Sequence, residues 1–140
     1  MAAHLEIGRR EKEGIVILDL KGRLVVGEGA TALRDTITEC RDAGQRNIIL
    51  NLQQVDYIDS SGLGALVICY TSLQKAVGAL KLMNLNRRNI ELLLLTKLST
   101  VFDLYDNEQD AVNSFFPERE IRKFDILSFV QQLEGEEKKG

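Results

Sequence analysis

The stretch Ile48-Ile49-Leu50-Asn51-Leu52, followed by Asp56-Tyr57-Ile58-Asp59-Ser60-Ser61-Gly62-Leu63-Gly64, decides how the chain is read. The first part is an apolar strand pattern. After the second, Leu63, Leu66, Val67, Tyr70 and Leu73 fall on one face of a helix. The run between them is therefore a strand-to-helix junction carrying two adjacent hydroxyls. Helix N-termini leave backbone N–H groups unpaired and carry a partial positive charge. Asp and Ser side chains cap such ends, and a phosphate is also well placed there. The junction thus has two readings: an ordinary cap, or a cap whose serine is a modification switch.

Working outward, the upstream segments alternate strand and helix. Leu5 to Arg10 alternates weakly as a first strand, and Glu11-Lys12-Glu13-Gly14 reads as a hairpin turn. Ile15-Val16-Ile17-Leu18-Asp19-Leu20 is β-branched and nearly continuous in apolar content, as a central strand is. Lys21-Gly22 ends it, and Gly27-Glu28-Gly29 lies in the loop that follows. From Ala30 the pattern turns helical, with Ala32, Leu33, Ile37 and Cys40 on one face and Asp42-Ala43-Gly44 as the stop. Arg46 to Leu52 is the next strand, and its helix runs from Ser61 to about Val77, with Gly78 at the C-cap.

Downstream, Leu80 to Leu85 alternates as a strand. Asn86 caps a helix through roughly Leu95, with Ile90, Leu93 and Leu94 inward. Val101 to Tyr105 reads as a short strand, and Asp106 or Asn107 caps a helix through Phe116. The order β-β-α-β-α-β-α-β-α predicts an α/β fold. It is a mixed sheet of about five strands with about four helices packed on it, the later strands parallel through right-handed crossovers. Pro117, the only proline, marks the domain end, giving a domain over 1–116 and an extension over 117–140. In the extension, Phe124, Ile126, Leu127, Phe129, Val130 and Leu133 form an amphipathic segment. It either docks on its own domain or serves self-association or a partner. Glu134 to Gly140 reads as a solvated, frayed tail.

Composition narrows the function classes. A chain of 140 residues with net charge -3 offers no basic field for nucleic acid and no polybasic membrane patch. No apolar run approaches the roughly 20 residues of a membrane span. The start, Met1-Ala2-Ala3-His4-Leu5-Glu6, turns polar at once and shows no signal peptide, so a cytoplasmic location is expected. Cys40 and Cys69 sit in helical patterns among apolar neighbours and read as buried, reduced thiols. The single histidine, His4, lies near a terminus, which disfavours Ser-His and Cys-His nucleophile pairs, and ligands for a structural zinc site are lacking. No P-loop motif occurs. The expectation is a protein that is not an enzyme and takes neither cofactor nor metal.

Asp59-Ser60-Ser61-Gly62-Leu63-Gly64, placed after Ile48 to Leu52, resembles the anti-sigma factor antagonists of the STAS domain family. Gly22-Arg23-Leu24 looks like that family's turn after the second strand. Leu80 to Leu85 and Leu98 to Phe102 sit where the family has a strand and the run into its last strand. The likeness covers about residues 5 to 116. It implies a partner-switching protein with a STAS-like sheet. Its partner would be an anti-sigma factor that is also a serine kinase of the histidine-kinase-like ATPase fold. That kinase would phosphorylate Ser60, and a PP2C-type phosphatase would reset it. The unmodified form would hold the kinase and the phosphorylated form release it. The ordering of Ser60 as acceptor and Ser61 as cap rests on this resemblance, since spacing does not separate the two hydroxyls.

The resemblance also marks a departure. Many family members have an aspartate soon after the turn that Gly22-Arg23-Leu24 matches. Here Val25 stands there, followed by Val26-Gly27-Glu28-Gly29, with Glu28 the candidate substitute. Val25, Glu28, Asp59, Ser61, Gly62 and Leu63 are therefore the expected partner-binding residues around Ser60. Asp59 would orient the hydroxyl, or simply form the turn. Gly62 and Gly64 would allow close backbone approach. Arg87-Arg88 reads as a solvated helix start, poorly placed for the helix dipole, with a contact role open. The competing reading is a structural STAS subunit of a larger signalling or lipid-transport assembly. A nucleotide-binding enzyme is the third and weakest.

Overall fold

The computed structural model describes residues 5–139. His4 lies outside the described residues, as do the rest of the first four positions and Gly140.

Five strands form one sheet in the order of the chain: β1 (Leu5–Lys12), β2 (Ile15–Leu24), β3 (Asn47–Ile58), β4 (Ala79–Met83) and β5 (Leu104–Tyr105). β1 and β2 are an antiparallel hairpin, and every later pairing is parallel. Glu13 and Gly14 both have positive φ (53° and 82°), the geometry of a tight two-residue hairpin turn. The helices are α1 (Glu28–Asp42), α2 (Ser60–Lys75), α3 (Arg87–Leu95), α4 (Glu108–Asn113) and α5 (Ile126–Lys139). This is the α/β architecture expected from the sequence.

Alternation along the strands builds two cores. Val16, Leu18, Leu20, Ile48, Leu50, Leu52, Leu80 and Leu82 face the helices α1, α2 and α3 and are almost wholly buried with Leu33, Ile37, Leu66, Leu73 and Leu93. Ile15, Ile17, Ile49, Met83 and Tyr105 face the other way, onto Ala111 and Val112 of α4. Beyond Ile17 and Ile49 that second face turns polar. The Asn51 amide donates to Asp19 at 2.8 Å, and Arg10 donates to both Asp19 and Glu108.

Several extents differ from the sequence reading. β2 does not stop at Lys21-Gly22. It passes through two pairing irregularities, with Gly22 at φ +118°, and continues to Leu24. β3 does not stop at Leu52. Leu50, Leu52, Val55 and Ile58 all reach the same core, so the spacing runs two, three, three and breaks the strand period. α1 starts at Glu28, which takes Glu28 and Gly29 out of the loop. β4 ends at Met83, short of Leu85. Val101–Tyr105 is not one strand: a 3-10 turn spans Leu98–Thr100, Phe102 enters the core from a loop, and only Leu104–Tyr105 pairs.

Asn107 is the α4 cap, and α4 ends at Asn113 rather than Phe116. α2 ends in a Schellman motif in which Val77, not Gly78, takes the left-handed position (φ +61°). The Val77 N–H donates to the Gln74 carbonyl and the Gly78 N–H to the Leu73 carbonyl. After Pro117, Phe124 donates its N–H to Leu104 beside β5, and Phe124 and Ile126 pack against the main core. The stretch expected as a frayed tail belongs to α5 as far as Lys139.

Candidate functional site

The unexpected lengths of β2 and β3 place the site. Their paired ends, Arg23 with Tyr57 and Leu24 with Ile58, bring the Val25–Gly27 loop beside the start of α2. The Asp59 N–H donates to the Leu24 carbonyl at 3.2 Å and locks the two ends together.

Asp59 is the N-cap of α2. It holds an extended backbone (φ −95°, ψ −176°), and its Oδ1 accepts from the Gly62 N–H at 2.8 Å. The other carboxylate oxygen accepts from the Val26 N–H at 3.0 Å. One side chain therefore serves its own helix and the neighbouring loop. Burial works against the charge. The N–H groups of Gly62, Val26 and Ser61 outweigh it, and the carboxyl is held below the ordinary carboxylate range. The cap is thus Asp59, not Ser61, and Asp59 is engaged by amides rather than by a serine hydroxyl. Ser61 is the second helical residue.

Ser60 and Ser61 are both exposed, and neither hydroxyl makes a hydrogen bond among the described residues. Gly62 is buried against the β2 end, where a Cβ would meet the Leu24 carbonyl oxygen at 2.1 Å. Gly64 has open space instead, so the close approach belongs to Gly62 alone. Leu63 is 9% exposed and its default role, core packing, holds. Val25 is half-buried and its carbonyl accepts from the Ala30 N–H. Val26 is 70% exposed at the loop tip. Glu28 is exposed in the first turn of α1, where a carboxylate suits the helix dipole.

Sequence reasoning missed the far wall of the site. The start of α3 is pinned to β3 by two amides: Asn86 and the buried Asn89 both donate to the Val55 carbonyl, at 3.1 and 2.9 Å. Between α3 and the α2 start lies a shallow opening of about 420 Å³, lined by Tyr57, Ser60, Leu63, Arg88, Leu92 and Leu95 among others. Leu95 is 83% exposed. The Tyr57 ring carries two guanidiniums, Arg23 at 5.3 Å and Arg88 at 5.0 Å from its centroid. Tyr57 was in the quoted run, yet its arginine neighbours lie 34 positions upstream and 31 downstream in the chain.

Chemistry elsewhere is sparse. Cys40 and Cys69 are buried free thiols, and burial pushes the Cys69 thiol up to about 11. Among the described residues, no cluster of His, Cys, Asp and Glu has metal-binding geometry, and no helix is long and apolar enough to cross a membrane.

The model of the STAS domain family matches residues 6–111. The chain is similar to the anti-sigma-B factor antagonist of Bacillus subtilis (strain 168), 28% identical over 109 residues covering 78% of this chain and 98% of the relative. It is similar to the anti-sigma F factor antagonist of Paenibacillus polymyxa, 27% identical over 110 residues covering 78% and 93%. Among solved structures it is similar in fold to the Bacillus cell fate determinant SpoIIAA in the phosphorylated form. That match has a TM-score of 0.60 and 22% identity, and covers 81% of this chain and 99% of that one.

Proposed function

Since the chain belongs to the STAS domain family, we propose that it is an anti-sigma factor antagonist that works by partner switching, with Ser60 as the phosphoacceptor. The names of the Bacillus and Paenibacillus relatives support the antagonist reading. The observation that carries the switch is the state of the Ser60 hydroxyl. It is exposed, makes no hydrogen bond among the described residues, and stands beside a cap that Asp59 already fills. A phosphate can therefore be added without dismantling the helix end.

In this reading the unmodified protein binds, in the cytoplasm, an anti-sigma factor that is a serine kinase of the histidine-kinase-like ATPase fold. Val26 and Leu95 offer exposed apolar contacts on either side of Ser60. A phosphate brings about -1.5 to -2 charges at pH 7. At a helix N-terminus the protein that carries it tolerates it. Inside a packed interface it adds bulk and uncompensated charge. A tenfold loss of affinity needs only about 1.4 kcal/mol. A PP2C-type phosphatase then resets the protein. The chemistry is the partners', and this chain supplies the hydroxyl and the surface.

The test is incubation of the full chain with the cognate kinase and ATP, read by intact mass and peptide mapping. One phosphate on Ser60 is expected, and none on Ser60→Ala. Labelling of Ser61 in Ser60→Ala would reverse the order of the two serines. Calorimetric titration with the kinase should show binding to the unmodified chain and its loss on phosphorylation. Undiminished affinity would sink the switch.

A further inference from the structure

We propose that Arg88 is a latch for a phosphate on Ser60: it rests on the Tyr57 ring in the unmodified protein and turns to the phosphoserine once that forms. The proposal rests on the reading of Ser60 as the acceptor and adds how the modified state is held.

Four observations point to it. First, Ser60 and Arg88 line the same opening of about 420 Å³, one at the start of α2 and the other at the start of α3. Second, neither Arg23 nor Arg88 forms an ion pair with a carboxylate among the described residues, although the chain holds 21 Asp and Glu against 18 Lys and Arg. Their contact is one shared ring, where two like charges repel each other. Third, Arg88 is the second residue of α3, where the helix dipole disfavours a cation. Fourth, the carboxylates around the opening are occupied. Asp59 accepts from Gly62 and Val26, and Glu91 pairs with Arg87 at 3.2 Å. A phosphate arriving on Ser60 thus meets carboxylates that are already engaged and a guanidinium held only by a ring face.

The guanidinium fork matches phosphate oxygens in a bidentate fashion, and its attraction to a dianion exceeds what a tyrosine face offers. Turning Arg88 toward Ser60 closes the mouth over Leu63, Leu92 and Leu95. It also removes a cation from whatever acidic group the partner presents. Phosphorylation then acts twice, by adding charge and by withdrawing Arg88. A Ser60→Asp side chain is shorter and singly charged, so it would repel the partner without closing the latch.

The experiment uses the full chain with phosphoserine placed at position 60 by co-translational incorporation, which needs no kinase. The phosphate's second ionisation is followed by phosphorus NMR across pH. A cation at hydrogen-bond distance favours the dianion. The second pKa is therefore expected about half a unit or more lower in the wild-type background than in Arg88→Gln, with Arg88→Lys between them. The difference should shrink at 1 M salt. Identical titrations in wild type, Arg88→Gln and Arg88→Lys would overturn the latch, as would a response to Arg23→Gln alone. Failure of a kinase to label Ser60 would instead count against the acceptor reading and leave this titration intact.

Discussion

The carboxylate of Asp59 accepts a hydrogen bond from the backbone N–H of Val26, 33 positions earlier in the chain, at 3.0 Å. With its other oxygen on Gly62, it ties the β2–α1 loop to the first turn of α2. Removing it should therefore free two structures at once. Asp59→Ala is expected to cost about 1–2 kcal/mol, at the upper end for a lost cap. Asp59→Asn keeps an acceptor and should cost less. Urea melts of the three proteins check the order. Equal stability of wild type and Asp59→Ala would show that the cap contributes nothing.

Gly62 and Gly64 look alike in the sequence and should behave in opposite ways. A Cβ at Gly62 would lie 2.1 Å from the Leu24 carbonyl oxygen, which is backbone and cannot swing aside. Gly62→Ala should destabilise by about 3 kcal/mol or push the Val25–Gly27 loop away from Ser60. Gly64 has nothing within 4 Å, so Gly64→Ala should gain helix propensity, up to about 1 kcal/mol. Thermal melting of both variants decides it.

The contrast shows where the sequence was legible. β2, β3 and β4 are visible because their apolar content is dense, and α1 to α3 because a 3.6-residue stripe faces one sheet. The α2 junction is visible because Asp, Ser and Ser cluster there. Which of the three side chains caps was not legible. The choice depends on the Val26 N–H arriving from a distant loop, so tertiary contact decides between equivalent local options. The same holds for the strand ends. Gly22 looked like a stop, yet it lies at an irregularity in a strand that runs on to Leu24. The spacing of Leu52, Val55 and Ile58 hid the continuation of β3 beyond Leu52. Arg88 was legible only as half of a basic pair poorly placed for the helix dipole, and its meeting with Arg23 on Tyr57 had no local signal.

The end of α2 holds a strained residue that invites a stabilising change. Val77 is β-branched, sits at φ +61° and is 92% exposed. It carries the cost of a left-handed side chain and returns almost no burial. Val77→Gly should stabilise by about 0.5–1 kcal/mol, the relief exceeding the added freedom of the unfolded chain. Gly78 cannot be exchanged in the same way, since a Cβ there would meet the Arg46 carbonyl oxygen at 2.1 Å. Gly78→Ala should lower the melting temperature. A fall in stability for Val77→Gly would show that this turn is held by something other than its dihedral angle.

Arg10 makes stability depend on pH. It donates to Asp19 through Nε at 2.6 Å and through Nη2 at 2.9 Å, and to Glu108 at 2.7 Å. These hydrogen bonds are the main reason both carboxyls lie below their ordinary values, and burial opposes them. A carboxylate whose folded pKa is depressed adds stability that is complete above its unfolded pKa. That stability is lost as pH falls through the folded one. The wild type should therefore be level from pH 7 to about 5 and weaken below about 4. The groups are partly exposed, so Arg10→Gln should cost only about 1 kcal/mol at pH 7. Its more telling effect is on slope: the variant should lose less stability than wild type between pH 5 and about 3. Denaturant melts across that range measure both curves. Parallel curves would show that Arg10 does not hold these carboxylates in their charged state.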